Sequence, residues 1–241
     1  MCIRDRNTNH NYPAPISIVS CVYEGCQVPI DTGLRIETNY FAELIADPVA
    51  GNMIRTLFVN KKSADKLRAR PEGFEKTKVN TLGMLGAGMM GSGIALVSAR
   101  SGMNVVLLDS TEEQAARGKQ YTEKFLEKRA KKGKMTPEAA AEVLDRITVT
   151  TDFNDLAECD LIIEAVFENR EIKADVTQKT EAVISEEIVF ASNTSTLPIT
   201  GLAESSSRPE GFIGMHFFSP VERMPLVEII LGKETSDRHS Q

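Results

Sequence analysis

The sequence lacks the features that mark a membrane, secreted or metal-centred protein. No apolar run approaches the roughly 18 residues of a transmembrane helix, and no apolar stretch near the N-terminus indicates a signal peptide. The 4 cysteines form no CxxC pair and the 3 histidines are scattered, so we expect neither a disulfide scaffold nor a metal site. A net charge of −6 argues against a general nucleic-acid binder. We expect a cytoplasmic protein, or a mitochondrial matrix protein if the source is eukaryotic.

The composition is that of a globular protein with a hydrophobic core. The chain has 241 residues, of which 41% are hydrophobic and 26% charged. At roughly 150 residues per domain, this length accommodates one full domain and a remainder. We expect residues 1–8, which are polar and unpatterned, to be foreign to the fold. Residues 238–241 follow a strand-like run directly, which we interpret as truncation.

Residues 9–78 are predicted to be a helical segment that ends in a linker. Apolar residues recur near helical spacing in residues 31–48, and a second helical stretch covers about residues 53–67. Pro71 and Gly73 then stop the helix, and charged residues dominate up to Lys78. No constellation of catalytic residues stands out in this segment.

The pattern changes at residue 79, where strands begin to alternate with helices. Strands are predicted at residues 79–85, 104–109, 147–151, 161–166 and 188–192, and helices at residues 89–101, 111–134, after Pro137, and at 170–185. Such alternation predicts an α/β fold with a mostly parallel sheet covered on both faces. We therefore assign residues 79–237 to one doubly wound domain.

A glycine-rich loop joins the first predicted strand of this domain to its first helix. In the sequence GAGMMG, Gly86 suits a tight turn, Gly88 allows close approach to a pyrophosphate, and Gly91 allows the helix to pack on the strand. The free N–H groups at the start of that helix provide an anion site. The alternative is that these glycines only punctuate an ordinary turn.

An acidic residue at the end of the next strand strengthens the dinucleotide interpretation. Asp109 closes the run NVVLLD, near the roughly 20-residue separation of the Rossmann fingerprint. A carboxylate there accepts hydrogen bonds from a ribose 2′-hydroxyl and repels a 2′-phosphate, which favours NAD over NADP. The alternative role for Asp109 is to cap the following helix. The strand–loop–helix–strand–acid order predicts a Rossmann-type domain that binds NAD.

One histidine and one glutamate are candidates for acid–base chemistry. His216 lies in the apolar run GFIGMHFF, whereas the other histidines lie near the chain ends. Glu228 follows in the apolar run LVEII, where a charge requires a partner. A glutamate that orients a histidine base is typical of dehydrogenase and hydrolase sites. The spacing alone favours the alternative, a buried structural histidine and a solvent-facing glutamate on an edge strand.

Polar residues also follow the strand at 188–192. Asn193, Thr194 and Ser195 stand where a parallel sheet delivers ligand-binding residues. On local sequence alone, a helix N-cap before Leu197 is the simpler interpretation.

Taken together, the motifs resemble those of the L-3-hydroxyacyl-CoA dehydrogenases. The segments GAGMMGSGIA, FENREIK, ASNTSTLPIT and HFFSPVERMPLVEII occur in the order and at the spacings of that family. The YPAP start and the linker resemble the multifunctional α subunits of fatty-acid oxidation complexes, in which an enoyl-CoA hydratase of the crotonase type precedes the dehydrogenase. The resemblance covers about residues 11–237.

The resemblance implies a role for each matching residue. It implies that His216 is the catalytic base, that Glu228 orients it, and that Ser195 faces both the dinucleotide and the substrate. Ser219, which stands where many single-function members have asparagine, is implied to align the substrate. The remaining residues implied to contact the dinucleotide are Met90, Asp109, Val166, Phe167, Glu168 and Lys173, beside the glycines of the loop.

The resemblance also implies an activity and partners. It implies NAD-dependent oxidation of L-3-hydroxyacyl-CoA in fatty-acid β-oxidation, an acyl-CoA substrate, a thiolase β subunit as partner, and oligomerisation of the complete protein. Residues 9–78 then correspond to the tail of a crotonase-like domain with its linker helix, and the helical domain expected after residue 237 is absent. Two alternatives remain: a non-catalytic NAD-binding module, or another Rossmann dehydrogenase that acts on free β-hydroxyacids.

Overall fold

The computed structural model describes residues 8–74 and 77–239. The chain divides into two compact units, Met1–Arg70 and Pro71–Gln241. The division falls earlier than the boundary predicted between residues 78 and 79. Of the segment predicted to be foreign, residues 1–7 lie outside the described residues, and so do residues 240 and 241 of the polar tail.

The first unit is helical, as the apolar spacing predicts. Its helices are α1 (Ala14–Gly25), α2 (Ile30–Ala46), α3 (Pro48–Ile54) and α4 (Lys61–Asp65), with a π-helical segment (Arg55–Asn60) between the last two. Asp47 ends α2 and caps α3, since its Oδ1 accepts a hydrogen bond of 2.7 Å from the N–H of Val49. No residue described in this unit is fully buried.

The described part of the second unit is built on one sheet of seven strands. The strands are β1 (Thr81–Leu85), β2 (Asn104–Leu108), β3 (Ile147–Thr150), β4 (Leu161–Glu164), β5 (Val189–Ser192), β6 (Phe212–Phe217) and β7 (Val227–Leu231). Their order is β3-β2-β1-β4-β5-β6-β7, and among these described strands every neighbouring pair is parallel except β6 and β7. This arrangement confirms the doubly wound, mostly parallel sheet. The order reverses between β1 and β4, where such folds bind ligands at the carboxyl ends of the strands.

Helices connect the strands, and all but the last of those named next lie at positions that the sequence predicts. They are α5 (Met89–Arg100), α6 (Glu112–Lys131), α7 (Pro137–Asp145), α8 (Arg170–Glu181) and the short α9 (Ile199–Ala203). The side chain of Thr111 caps α6, and Asn169 caps α8. Helix α6 ends before the predicted Lys134 because Gly133 adopts a φ of +64°. Helix α8 ends at Glu181, short of the predicted residue 185.

Alternate residues of the strands separate into two buried clusters. Leu107, Ile163 and Ala191 belong to one cluster with Ile94 of α5. Their sequence neighbours Leu108, Ile162 and Phe190 belong to the other, with Leu202 of α9. Because successive side chains of a strand point to opposite faces, both faces of the sheet are covered. Within the described residues, none of the helices is long and apolar enough to cross a membrane.

Candidate active site

The glycine loop leaves open space at the start of α5. A Cβ on Gly91 would lie 1.7 Å from the carbonyl oxygen of Gly86, so the helix and the loop pack too closely for a side chain. Gly86 has a φ of +93°, and its Cβ would lie 2.8 Å from the oxygen of Ala165. A Cβ on Gly88 would meet nothing within 4 Å. Two glycines are therefore required by the fold, while Gly88 borders the space that the sequence assigns to a pyrophosphate.

Asp109 is bound to the glycine loop. Its Oδ2 accepts a hydrogen bond of 2.7 Å from the N–H of Ala87, and its Oδ1 accepts one of 2.6 Å from the N–H of Ser110. The side chain that caps α6 is that of Thr111, so Asp109 is not the helix cap that the alternative interpretation requires. The structure thus places a carboxylate beside the loop, at the carboxyl end of β2.

His216 and Glu228 are direct neighbours on adjacent antiparallel strands. The β6–β7 register pairs the two residues, and Nδ1 of His216 lies 2.9 Å from Oε2 of Glu228. On the other side of the ring, Nε2 lies 3.2 Å from Oγ of Ser195. The His216 side chain is 17% exposed and that of Glu228 50%. Glu228 does lie on an edge strand, as the simpler interpretation states, yet it is paired with the imidazole.

Ser195 belongs to a turn that Glu168 holds in place. One oxygen of Glu168 accepts hydrogen bonds from the backbone N–H groups of Ser195 at 3.2 Å and Thr196 at 3.3 Å, and from the hydroxyl of Thr194. Thr194 in turn accepts a hydrogen bond of 3.0 Å from the N–H of Leu197. This contact resembles an N-cap, but α9 begins only at Ile199. The turn of residues 194–196 is therefore separate from α9, which begins three residues after it.

The ionisation of Glu168 reflects the same contacts. Partial burial disfavours the charged form, but the hydrogen bond from Thr194 and the positive charge of Lys173 outweigh it and hold the pKa of Glu168 below its ordinary value. The anionic form is therefore the one that the turn stabilises.

Lys173 forms a buried ion pair with Glu164, a residue that was not among the predicted site residues. Its side chain is 3% exposed, and Nζ lies 2.7 Å from Oε1 of Glu164 and 3.3 Å from Oε2 of Glu168. Glu164, at the end of β4, is 1% exposed. The signal was present in the sequence, because Glu164 is a charged residue within the apolar run LIIEAV, just as Glu228 is within LVEII.

The remaining predicted site residues lie along the same edge of the sheet. Phe167 is 80% exposed, whereas Val166 and Met90 are half-buried and pack against the two core clusters. Ser219 is exposed, and its Oγ lies 3.9 Å from Sδ of Met89, an exposed residue at the start of α5. Among the described residues, no cluster of histidine, cysteine or carboxylate side chains could hold a metal ion.

These features define a class of protein, a dinucleotide-binding domain of the Rossmann type that carries a histidine–glutamate pair. Residues 81–241 match the family described as 3-hydroxyacyl-CoA dehydrogenase, NAD binding domain. The chain belongs to this family, and the cofactor of the domain is NAD.

Relatives of known name agree with this assignment. The chain is 39% identical over 226 residues to a fatty acid oxidation complex subunit alpha of Psychrobacter arcticus, covering 94% of this chain and 31% of the relative. A protein of the same name from Pseudomonas putida is 39% identical over 227 residues, with 94% and 32% covered. The chain thus spans about a third of the length of these relatives.

Solved structures show the same fold. (S)-3-hydroxybutyryl-CoA dehydrogenase from Ralstonia eutropha superposes with a TM-score of 0.66 at 40% identity, covering 68% of this chain and 58% of that one. 3-hydroxybutyryl-CoA dehydrogenase from Escherichia coli gives a TM-score of 0.66 at 35% identity, with 68% and 35% covered.

Proposed function

We propose that the protein catalyses NAD-dependent oxidation of L-3-hydroxyacyl-CoA to 3-oxoacyl-CoA. The observation that carries this proposal is the alignment of Ser195, His216 and Glu228, in which both ring nitrogens of the histidine have a polar partner. Membership of the 3-hydroxyacyl-CoA dehydrogenase family supports the acyl-CoA substrate.

The residues at the carboxyl edge of the sheet fit the dinucleotide. A Cβ on Gly88 would contact nothing within 4 Å, so there is open space beside this residue that a larger side chain would occupy. Gly88 is the N-cap of α5 and makes no side-chain hydrogen bond, and the N-terminus of a helix is an anion-binding position. Asp109 is hydrogen-bonded to the neighbouring Ala87. NAD, when bound, supplies the hydride acceptor for the reaction.

His216 is the proton acceptor in this proposal. A carboxylate at Nδ1 holds the proton on that nitrogen, so the lone pair of Nε2 is available to the 3-hydroxyl of the substrate. Glu228 stabilises the imidazolium once Nε2 has taken the proton. In the reverse direction Nε2 returns the proton to the carbonyl oxygen.

Ser195 and Ser219 align the reacting oxygen or the nicotinamide amide, and Ser195 is already within hydrogen-bond reach of Nε2. We propose Met90, Val166, Phe167, Glu168 and Lys173 as the surroundings of the dinucleotide.

The relatives supply the wider context of the proposal. They are named as subunits of a fatty acid oxidation complex, which supports assembly with other chains, and we propose a thiolase β subunit and oligomerisation on that ground. Their bacterial sources support a cytoplasmic location.

Two measurements on the purified chain test the proposal. NADH fluorescence is titrated with the protein, with NADPH as the control, and NADH oxidation is then followed with acetoacetyl-CoA and, separately, with free acetoacetate. We expect NADH oxidation with acetoacetyl-CoA and none with free acetoacetate. Oxidation with free acetoacetate instead would show a β-hydroxyacid dehydrogenase of another kind.

A second candidate function is a non-catalytic NAD-binding module. The observation that favours it is that the family model matched by residues 81–241 describes an NAD binding domain. Saturable NADH binding without turnover of either substrate would favour this candidate over the first.

A further inference from the structure

Glu164 is a buried charged group to which the proposed reaction gives no role. Its carboxylate has a partner at each oxygen: Oε1 accepts hydrogen bonds of 2.7 Å from Nζ of Lys173 and 2.8 Å from the N–H of Val166, and Oε2 accepts one of 2.8 Å from Oγ of Ser192. The residue lies at the last position of β4, and its backbone oxygen accepts a hydrogen bond of 2.7 Å from the N–H of Asn193. Glu164 thus ties the ends of β4 and β5 to the start of α8.

Lys173 connects this buried carboxylate to a second one. Its ammonium group lies between Glu164 at 2.7 Å and Glu168 at 3.3 Å, and its side chain is 3% exposed. A lysine buried to this extent requires compensating negative charge. If Glu164 were neutral, Glu168 would be the remaining carboxylate in contact with Lys173. The attraction between Lys173 and Glu168 would then become stronger.

Glu168 is also the acceptor that organises the turn of residues 194–196. The oxygen that binds the turn is Oε1, whereas Oε2 faces Lys173. A stronger pull from Lys173 rotates the carboxylate and weakens the hydrogen bonds to Ser195 and Thr196. The turn carries Ser195, whose Oγ lies 3.2 Å from Nε2 of His216. A continuous series of contacts therefore runs from Glu164 to the imidazole.

We propose that Glu164 is a positioning residue of this site: by compensating Lys173, it leaves Glu168 free to hold the 194–196 turn and so presents Ser195 to His216. The proposal rests on the proposed function for the importance of Ser195 and His216. The arrangement of the turn is testable without turnover, so that the two can fail separately.

The test is amide hydrogen exchange of the purified full chain, followed residue by residue. In Glu164→Gln, the amides of Ser195 and Thr196 should exchange at least about tenfold faster relative to core amides of β1 and α5. Normalising to the core separates a local loosening of the turn from a global loss of stability. The matched control is Asp175→Asn, which removes one carboxylate from an exposed ion pair with Lys179 on the same helix. It should leave the two turn amides unchanged.

The double variant Glu164→Gln/Lys173→Met tests the link. Removing the lysine also removes the pull on Glu168, so exchange at Ser195 and Thr196 should return toward the wild-type rate. The proposal would be overturned if, in Glu164→Gln, the amides of Ser195 and Thr196 exchanged faster only to the same extent as the core amides. It would also be overturned if their exchange rates in the double variant were no closer to wild type than in Glu164→Gln. If Glu164→Gln does not fold, Ser192→Ala removes only the donor to Oε2 and should raise exchange at the same two amides to a smaller extent; an unchanged rate there would overturn the proposal.

Discussion

Nδ1 of His216 and Oε2 of Glu228 lie 2.9 Å apart because the two residues face each other across the β6–β7 ladder. The pair therefore depends on the register of β6 and β7, the one antiparallel pair among the described strands. A shift of one residue in that register would turn Glu228 to the opposite face and separate it from the imidazole.

Replacing His216 separates cofactor binding from chemistry. In His216→Gln, the affinity for NADH should stay within about twofold of wild type, while turnover of acetoacetyl-CoA falls by about 10² to 10⁴, the usual contribution of a general base. Fluorescence titration and the NADH oxidation assay measure the two quantities. An equal loss of binding and turnover would show that His216 acts through the fold instead.

Replacing Glu228 should have a smaller effect on turnover. In Glu228→Gln, the amide oxygen still accepts the hydrogen bond from Nδ1, but the charge that stabilises the imidazolium is lost, so turnover should fall by about tenfold or more. The matched control is Glu187→Gln, an exposed glutamate that precedes β5 at the other end of the strands. Equal turnover in Glu228→Gln and the control would contradict an orienting role.

Alanine substitutions at two glycines of the loop should affect different properties, stability at Gly91 and NADH affinity at Gly88. In Gly91→Ala the new Cβ would lie 1.7 Å from a backbone oxygen, so we expect the free energy of unfolding to fall by about 1–3 kcal/mol or more. In Gly88→Ala, where the position is open, stability should stay within about 0.5 kcal/mol and NADH affinity should fall at least about tenfold. Denaturant titration and fluorescence titration measure these. Full NADH affinity in Gly88→Ala would place the pyrophosphate elsewhere.

Asp109 is expected to select NAD over NADP. In Asp109→Asn, the side-chain oxygen still accepts from Ala87, but the charge that repels a 2′-phosphate is gone. The ratio of NADH to NADPH affinity should therefore fall at least about tenfold, which corresponds to about 1.4 kcal/mol. Glu112→Gln, in the first turn of α6, is the control for a general change of charge. If the control changes the ratio as much, the selection does not depend on Asp109.

The lowered pKa of Glu168 predicts a dependence of stability on pH. A carboxyl group with a pKa lower in the folded than in the unfolded chain adds stability above the unfolded value, about pH 4.3, and this is lost as pH falls through the folded value. Between about pH 5 and pH 2, wild type should thus lose more unfolding free energy than Glu168→Gln. Thr194→Val, which removes one hydrogen-bond donor to the carboxylate, should fall between them. If the free energy of unfolding depended on pH in the same way in wild type, Glu168→Gln and Thr194→Val, the lowered pKa of Glu168 would be refuted.

The local patterns predicted most elements of the second unit to within a few residues at their ends. The glycine loop joined a buried strand to a helix as expected, since its φ and packing demands are local properties of Gly86 and Gly91. Helix boundaries were less well defined. Helix α8 stops at Glu181, and nothing in its periodicity marks that residue as the end.

The sequence by itself determined the alternation of strands and helices, the glycine loop and the acid after β2, because each depends on residues close together in the chain. The tertiary structure alone decided which charges meet. Glu164 and Glu228 both stand in apolar strands, yet the sequence predicted a site role for Glu228 and none for Glu164. The sheet order brings Glu164 beside Ser192, the β6–β7 register brings Glu228 to His216, and the turn after β5 brings Ser195 to Nε2. Partners of this kind come from distant parts of the chain, and a buried charge requires a partner without specifying which residue provides it.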